Sequence, residues 1–271
     1  MGRRVMQLAV LECERLQDHL APAVYASTGG YLQLLQKAFN HVLANASTIL
    51  HPQITVPPSL SFTGFDVKAE EYPKDLADFD GVLITGSLSG VYDGGAWIQR
   101  LLNEIRELDK KKVKTVGISF GHQAIAQALG GHVGRNPKGS EVSVRKARVT
   151  EDGEQVFFPR LKEFLLHYHH NDAILQLPPG FLNLATNNVT EFQSIYKKQQ
   201  YLTFCGHPDY SHNIYVLEKL LEYDREKLWV PEQLVEHGLA TLKQPTDYEW
   251  VVKQMLLFYM GALDKFPSTS L

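Results

Sequence analysis

Residues 115–123 read TVGISFGHQ. An apolar run stops at Gly117, a hydroxyl follows at Ser119, and a second glycine stands at Gly121. G-x-S-x-G is the written form of a nucleophile elbow, a sharp strand-to-helix turn that presents a side chain at the end of a sheet. Glycines at 117 and 121 relieve the crowding such a turn creates. The Phe120 N–H then lies at a helix N-terminus, where unpaired donors and the helix dipole can stabilise an oxyanion. The same letters also describe an ordinary turn with a small polar cap, so the neighbouring elements have to decide.

Upstream, FDGVLITG (79–86) is a buried strand ending at glycine, and AWIQRLLNEIRELDKK (96–111) is an amphipathic helix. VMQLAVLE (5–12) reads as the first strand, GGYLQLLQKAFNHVL (29–43) as a helix, and LSFTGFDVKA (60–69) as a further strand. Downstream of the elbow, GHQAIAQALGG (121–131) is a helix closed by a glycine pair. Strands that are apolar throughout, alternating with helices, predict an α/β fold with a parallel sheet covered on both faces. Segments 140–149 and 181–205 predict additional strands, some alternating and therefore antiparallel or at an edge. From about residue 212 the pattern is helical through DYEWVVKQMLLFYMGAL (247–263), and the tail DKFPSTSL is expected to fray.

In a parallel sheet, ligands gather at the carboxyl ends of the strands. Two other features fall there. YLTFCGHPDYS (201–211) is a strand running into His207-Pro208-Asp209. A histidine with a carboxylate two residues on can form the base and orienting acid of a triad, though a surface His-Pro turn has the same letters. GVLITGSLSGVYDGGAW (81–97) carries a strand into a Gly/Ser-rich loop that can bring backbone N–H groups to a substrate oxygen. It lacks G-x-x-x-x-G-K-[ST], which argues against a nucleotide loop. Elbow, donor loop and His-x-Asp together are the parts of one acyl-transfer site. The chain order Ser119, His207, Asp209 differs from the serine, acid, histidine order of an α/β-hydrolase.

These residues resemble the class I glutamine amidotransferase-like family, including its stand-alone γ-glutamyl-peptidase-like subgroup. The family elbow reads G-x-C-x-G-H-Q, here GISFGHQAIAQALGG (117–131), and its H-P-E reads GHPD here (206–209). GRNPKGSE (134–141) resembles the family's glutamine-contacting segment, HHNDAILQLPPGF (169–181) its H-x-D stretch and turn, and ITGSLSGVYDGGAWI (84–98) its oxyanion loop. The likeness spans roughly residues 5–215. It implies a flavodoxin-like three-layer fold, with residues 1–211 as the amidotransferase-like domain and 212–271 as a helical extension packed on it. It also implies Ser119 as nucleophile, His207 as base and Asp209 as orienting acid. N–H groups of Gly86 or Ser87 and of Phe120 would form the oxyanion hole, with Gln123 and Glu141 toward the substrate and His122 packing structurally.

The chain departs from the family at two places. Asp209 is shorter than the family's glutamate. Ser119 stands in the place of the family's cysteine, and a hydroxyl needs its proton removed during attack where a thiol is partly ionised. Ser119 is then either the chain's own nucleophile or an engineered replacement of cysteine. Three functions follow: an acyl-transfer hydrolase of glutamine or a γ-glutamyl amide; a serine-triad hydrolase or acyltransferase of a non-glutamine ester or thioester, for example in secondary metabolism; or a catalytically dead binding protein.

Composition narrows the surroundings. Hydrophobic content of 44% and charged content of 21% over 271 residues suit a globular protein with a full core. A net charge of −3 suggests no nucleic-acid or anionic-membrane surface, and Lys110–Lys112 reads as a solvated helix end. No run approaches a membrane span, and the myristoylation pattern after Gly2 fails. Cys13 and Cys205 lack metal-ligand spacing and read as buried free thiols. The expectation is a cytoplasmic protein with a small-molecule substrate, no cofactor, no metal and no synthetase domain in the chain. The C-terminal helices are left to roof the pocket or to form a homo-oligomer face.

Overall fold

The computed structural model describes residues 5–45 and 59–263. The chain opens with β1 (Val5–Glu12), α1 (Pro22–Thr28) and α2 (Tyr31–Ala44), then β2 (Ser59–Asp66) and β3 (Gly81–Ile84). Next come α3 (Ala96–Lys111), β4 (Thr115–Ile118), α4 (Phe120–Ala128), β5 (His132–Arg135), β6 (Glu141–Val149) and α5 (Glu151–Val156). The last part holds β7 (Glu163–His170), β8 (Asp172–Gln176), β9 (Leu182–Thr186), β10 (Ser194–Lys197), β11 (Tyr201–Phe204), α6 (Ile214–Lys227), α7 (Glu232–Thr241) and α8 (Tyr248–Tyr259).

The first strand explains the unbroken apolar runs. Leu8 and Val10 enter one core cluster with Leu83 and Val116, while Ala9 and Leu11 enter another with Val82 and Ile84. Successive strand side chains face opposite ways, so a strand apolar at every position has to be covered on both sides. Leu35 and Phe39 of α2 and Met255 and Leu256 of α8 cover the first face. Ile98, Leu101 and Ile105 of α3 and Ile125 of α4 cover the second. These are the three layers expected. α8 is bound tightly: the Tyr259 hydroxyl donates to the Val82 carbonyl at 2.7 Å, and Lys114 Nζ donates to the Phe258 and Tyr259 carbonyls, each at 2.9 Å. A cation there also faces the negative end of the helix dipole.

The large sheet runs β2-β1-β3-β4-β11-β10-β9-β6-β7, and β5 pairs with β8 separately. Its first five strands are parallel; the remaining neighbours pair antiparallel. Leu11, Ile84, Gly117 and Thr203 sit in one register across the parallel strands. The carboxyl ends of β1, β3, β4 and β11 therefore open together, where the expected site residues fall.

Of the strands expected in 140–149 and 181–205, β6, β9 and β10 pair antiparallel, in the interior of the sheet, while β11 is a central strand parallel to β4. Strands β5, β7 and β8 and helix α1 were not anticipated. β7 hides because EFLLHYHH is rich in histidine, yet it buries Phe164, Leu166, Tyr168 and His170 at the strand period. Lys110–Lys112 does end α3 at the surface, with Lys111 paired to Asp75 at 2.8 Å and Lys110 to Glu107 at 2.7 Å. Cys13 and Cys205 are buried and free, and burial pushes the Cys13 thiol up. The C-terminal tail and Gly2 lie outside the described residues. Among the described residues no helix is long and apolar enough to cross a membrane.

Candidate active site

β4 ends at Ile118 and α4 begins at Phe120, so Ser119 alone makes the turn. Its backbone takes φ 53° and ψ −107°, a sparsely populated conformation for a residue with a Cβ. Neighbouring strands hold it there: the Ser119 N–H donates to the Phe204 carbonyl at 2.8 Å, and the Gly121 N–H to the Thr85 carbonyl at 3.1 Å. A Cβ at Gly121 would stand 2.3 Å from the Ile84 carbonyl oxygen, and one at Gly117 2.7 Å from the Gly121 backbone. Close approach is the steric reason for G-x-S-x-G in this chain.

Three residues past the end of β11, the His207 N–H donates to the His167 carbonyl at 2.7 Å. His207 Nδ1 faces Asp209, 3.3 Å from Oδ1 and 3.4 Å from Oδ2, so the shorter acid does reach. His207 Nε2 is buried with no hydrogen-bond partner among the described residues. Buried ring nitrogens are ordinarily paired, and this one is left over. The imidazole stacks on Tyr210, centroids 4.2 Å apart at 11°, and the Tyr210 hydroxyl meets the Tyr31 hydroxyl at 2.8 Å. Burial, and after it the Asp209 carboxylate, push the Tyr31 phenol well up, which keeps it neutral. A Cβ on Gly86 would lie 2.9 Å from His207 Cε1 and 3.1 Å from the Tyr31 hydroxyl oxygen. The Gly/Ser loop thus runs directly against the imidazole.

Within that loop the donors divide. The Leu88 N–H donates to Glu14 Oε2 at 2.9 Å, the Ser89 N–H to Ser87 Oγ at 3.2 Å, and the Gly90 N–H to Asp93 Oδ2 at 2.7 Å. The N–H groups of Gly86, Ser87 and Phe120 donate to no described residue. These are the donors the sequence singles out for an oxyanion.

Ser87, Ser119, Phe120 and Gln123 line a cavity of about 270 Å³. Gln123 Nε2 donates to the Asp172 carbonyl at 3.1 Å, fixing its amide on the cavity wall. Glu141 behaves differently from expectation. It is not among the lining residues; its oxygens accept from Asn187 Nδ2 at 2.7 Å and Gln193 Nε2 at 2.8 Å. It stands at ion-pair distance, 3.3 Å, behind His170, which does line the cavity. Burial works to raise the Glu141 carboxyl, but His170, Thr190 and Asn187 outweigh it and lower it to about 2. His170 is correspondingly pushed up: burial opposes its charge, and the Cys205 sulfur and the Glu141 carboxylate favour it. From GRNPKGSE it is Arg135 that reaches the cavity, 3.8 Å from Asp172 Oδ1. His122 packs as expected, with Nδ1 2.6 Å from Thr203 Oγ1 and Nε2 3.0 Å from the Phe192 carbonyl. Burial lowers it to about 3, so it is neutral.

Sequence reasoning missed several residues. Asp224 of α6 pairs with His169 at 2.6 Å, and both border the cavity with Trp229 and Val230. The end of α6 is therefore one wall of the pocket; nothing in its helical pattern marks it as such. Glu14 and Tyr210 were legible in principle. Glu14 follows the carboxyl end of β1, the rule applied to the other strands, and Tyr210 adjoins Asp209. Among the described residues no group of three or more His, Cys, Asp or Glu is arranged to hold a metal ion.

Comparison with known proteins matches residues 37–220 to the family described as Glutamine amidotransferase class-I. A glutamine amidotransferase-like protein of Schizosaccharomyces pombe is 33% identical over 194 residues, 70% of this chain and 77% of the relative. Gamma-glutamyl peptidase 2 of Arabidopsis thaliana is 27% identical over 66% of this chain and 73% of its own. A crystal structure of a glutamine amidotransferase from Thermotoga maritima superposes with a TM-score of 0.68 at 17% identity, over 96% of this chain and 99% of that one.

Proposed function

Since the chain belongs to the class I glutamine amidotransferase family, we propose that it is an acyl-transfer hydrolase that cleaves glutamine or a γ-glutamyl amide through a covalent acyl-enzyme on Ser119. The observation that carries the reading is a buried His207 just past the end of β11, the strand beside β4, which leads into the strained, cavity-lining Ser119. That histidine has Nδ1 turned to Asp209 and Nε2 unpartnered. In this reading His207 Nε2 takes the Ser119 hydroxyl proton as Oγ attacks the amide carbon, and Asp209 holds the ring and balances the imidazolium. The N–H groups of Gly86 or Ser87 and of Phe120 receive the oxyanion. As the C–N bond breaks, His207 returns the proton to the leaving amine. Water then attacks the ester as His207 removes its proton; the acyl–oxygen bond breaks, His207 returns that proton to Ser119 Oγ, and the γ-carboxylic acid leaves and ionises.

The test is release of ammonia from glutamine, or of amine from γ-glutamyl amides, by the chain, by Ser119→Cys and by His207→Ala. Release by the first two and loss in the third supports the reading; no release by either of the first two contradicts it. A second reading has one observation in its favour. The hydroxyl at Ser119 suits ester or thioester cleavage, whose leaving groups need less assistance than an amine. A fluorophosphonate adduct on Ser119 that requires His207, without turnover of any γ-glutamyl amide, would favour it.

A further inference from the structure

Glu14 lies two residues past the end of β1, its side chain 1% exposed. A buried carboxylate needs its lone pairs satisfied and its charge balanced. Here the two oxygens divide the work. Oε2 accepts from the Leu88 N–H at 2.9 Å and the Ser87 hydroxyl at 3.1 Å, both on the Gly/Ser loop. Oε1 meets Lys68 Nζ at 2.6 Å, His19 Nε2 at 3.2 Å and the Arg15 N–H at 3.1 Å, away from the loop. Burial tends to raise this carboxyl, yet His19, Lys68 and the Leu88 N–H lower it to about 2, so it stays charged.

We propose that Glu14 is the positioning residue of the oxyanion loop. By taking the Leu88 N–H and the Ser87 hydroxyl, it fixes the Ser87–Leu88 peptide and the Ser87 side chain and leaves the adjoining Gly86 and Ser87 N–H groups unspent. Lys68 is the necessary counterpart. An unbalanced carboxylate behind the loop would oppose the negative charge that develops on the substrate oxygen, and the ammonium cancels it. Lys68 is itself steadied over the Trp97 ring at 5.7 Å, and Trp97 packs on Phe120, the other flank of the oxyanion site, with centroids 5.6 Å apart. His19 extends the same network to the rim: its ring meets Tyr223 edge-on at 5.4 Å, and Tyr223 meets Trp229 edge-on at 5.5 Å. One carboxylate thus ties the oxyanion loop to the elbow on one side and to the α6 wall on the other.

This inference rests on the acyl-transfer reading, and its test separates the two. Wild type, Glu14→Ala and the double variant Glu14→Gln with Lys68→Met are compared on γ-L-glutamyl-p-nitroanilide, normalised to folded protein. Amide exchange at Leu88 is measured in parallel. Misplacing a transition-state donor lowers kcat, so Glu14→Ala is expected to lose on the order of 10- to 100-fold in kcat with KM within about threefold. Exchange at Leu88 speeds up. The double variant keeps an acceptor for the Leu88 N–H without a net charge and recovers most of the lost kcat. A Glu14→Ala enzyme with wild-type kcat overturns the proposal and leaves acyl transfer standing. No turnover by wild type or by Ser119→Cys, with Leu88 exchange faster in Glu14→Ala, overturns the γ-glutamyl acyl-transfer reading and upholds the anchor. Leu88 exchange unchanged in Glu14→Ala overturns the anchor whatever the activity.

Discussion

At the scale of single residues, the site depends on how little freedom His207 has. It is stacked on Tyr210, faced by Asp209, bonded through its N–H to His167, and closed in at Gly86, where any Cβ would stand 2.9 Å from its Cε1. Asp209→Asn keeps the shape but cannot balance the imidazolium; kcat is expected to fall on the order of 10²- to 10⁴-fold with little change in Tm. Steady-state kinetics beside a melting curve checks this. Gly86→Ala would put a methyl against His207 and the Tyr31 hydroxyl at 2.9 and 3.1 Å. The ring has to move, so turnover should fall by at least about tenfold while KM changes less. An alanine enzyme as active as wild type would mean that the loop does not touch the working imidazole.

Among the elements, the elbow is the joint on which the sheet and α4 depend. Gly121→Ala aims a methyl at the Ile84 carbonyl, 2.3 Å away and part of β3. Neither partner is a flexible side chain, so a loss of about 1–3 kcal/mol or more is expected, read as a lower denaturation midpoint in urea. This joint was legible because the physics is local: two glycines, an apolar strand and a helix in sequence order. The Gly/Ser loop and the His-x-Asp turn were legible for the same reason, each being a strand end. What was not legible depends on distant packing. Glu141 sits in the expected glutamine-contacting segment, but Asn187 and Gln193, 46 and 52 residues away, draw it behind the wall. Asp224 reaches the cavity because α6 packs on Tyr31 and Leu34 of α2 and on Val142 of β6, and no helical period reveals that. β7 was overlooked because its histidines disguise a strand alternation.

On the scale of the whole molecule, two buried carboxylates set the acid limit of the fold. Glu14 and Glu141 are both lowered to about 2 from 4.5. A lowered carboxyl stabilises the fold above its unfolded value and loses that contribution as pH falls through its folded value. Stability should therefore drop steeply between about pH 4.5 and 2, by roughly 3 kcal/mol for each group. His170 has the opposite sign: its raised value stabilises at low pH and is lost as pH climbs past it. Its shift and that of Glu141 report one ion pair and are not added. Chemical denaturation across pH, with Glu141→Gln flattening the acid limb, checks the assignment. The central claim, however, is that this core holds Ser119 as an acylated nucleophile. It is tested most directly by acid-quenching the chain during turnover of γ-L-glutamyl-p-nitroanilide and mapping the adduct by mass spectrometry. The account predicts a γ-glutamyl group on Ser119, with adduct and turnover both absent in Ser119→Ala. Turnover that persists in Ser119→Ala, or an adduct on any other residue, would contradict it.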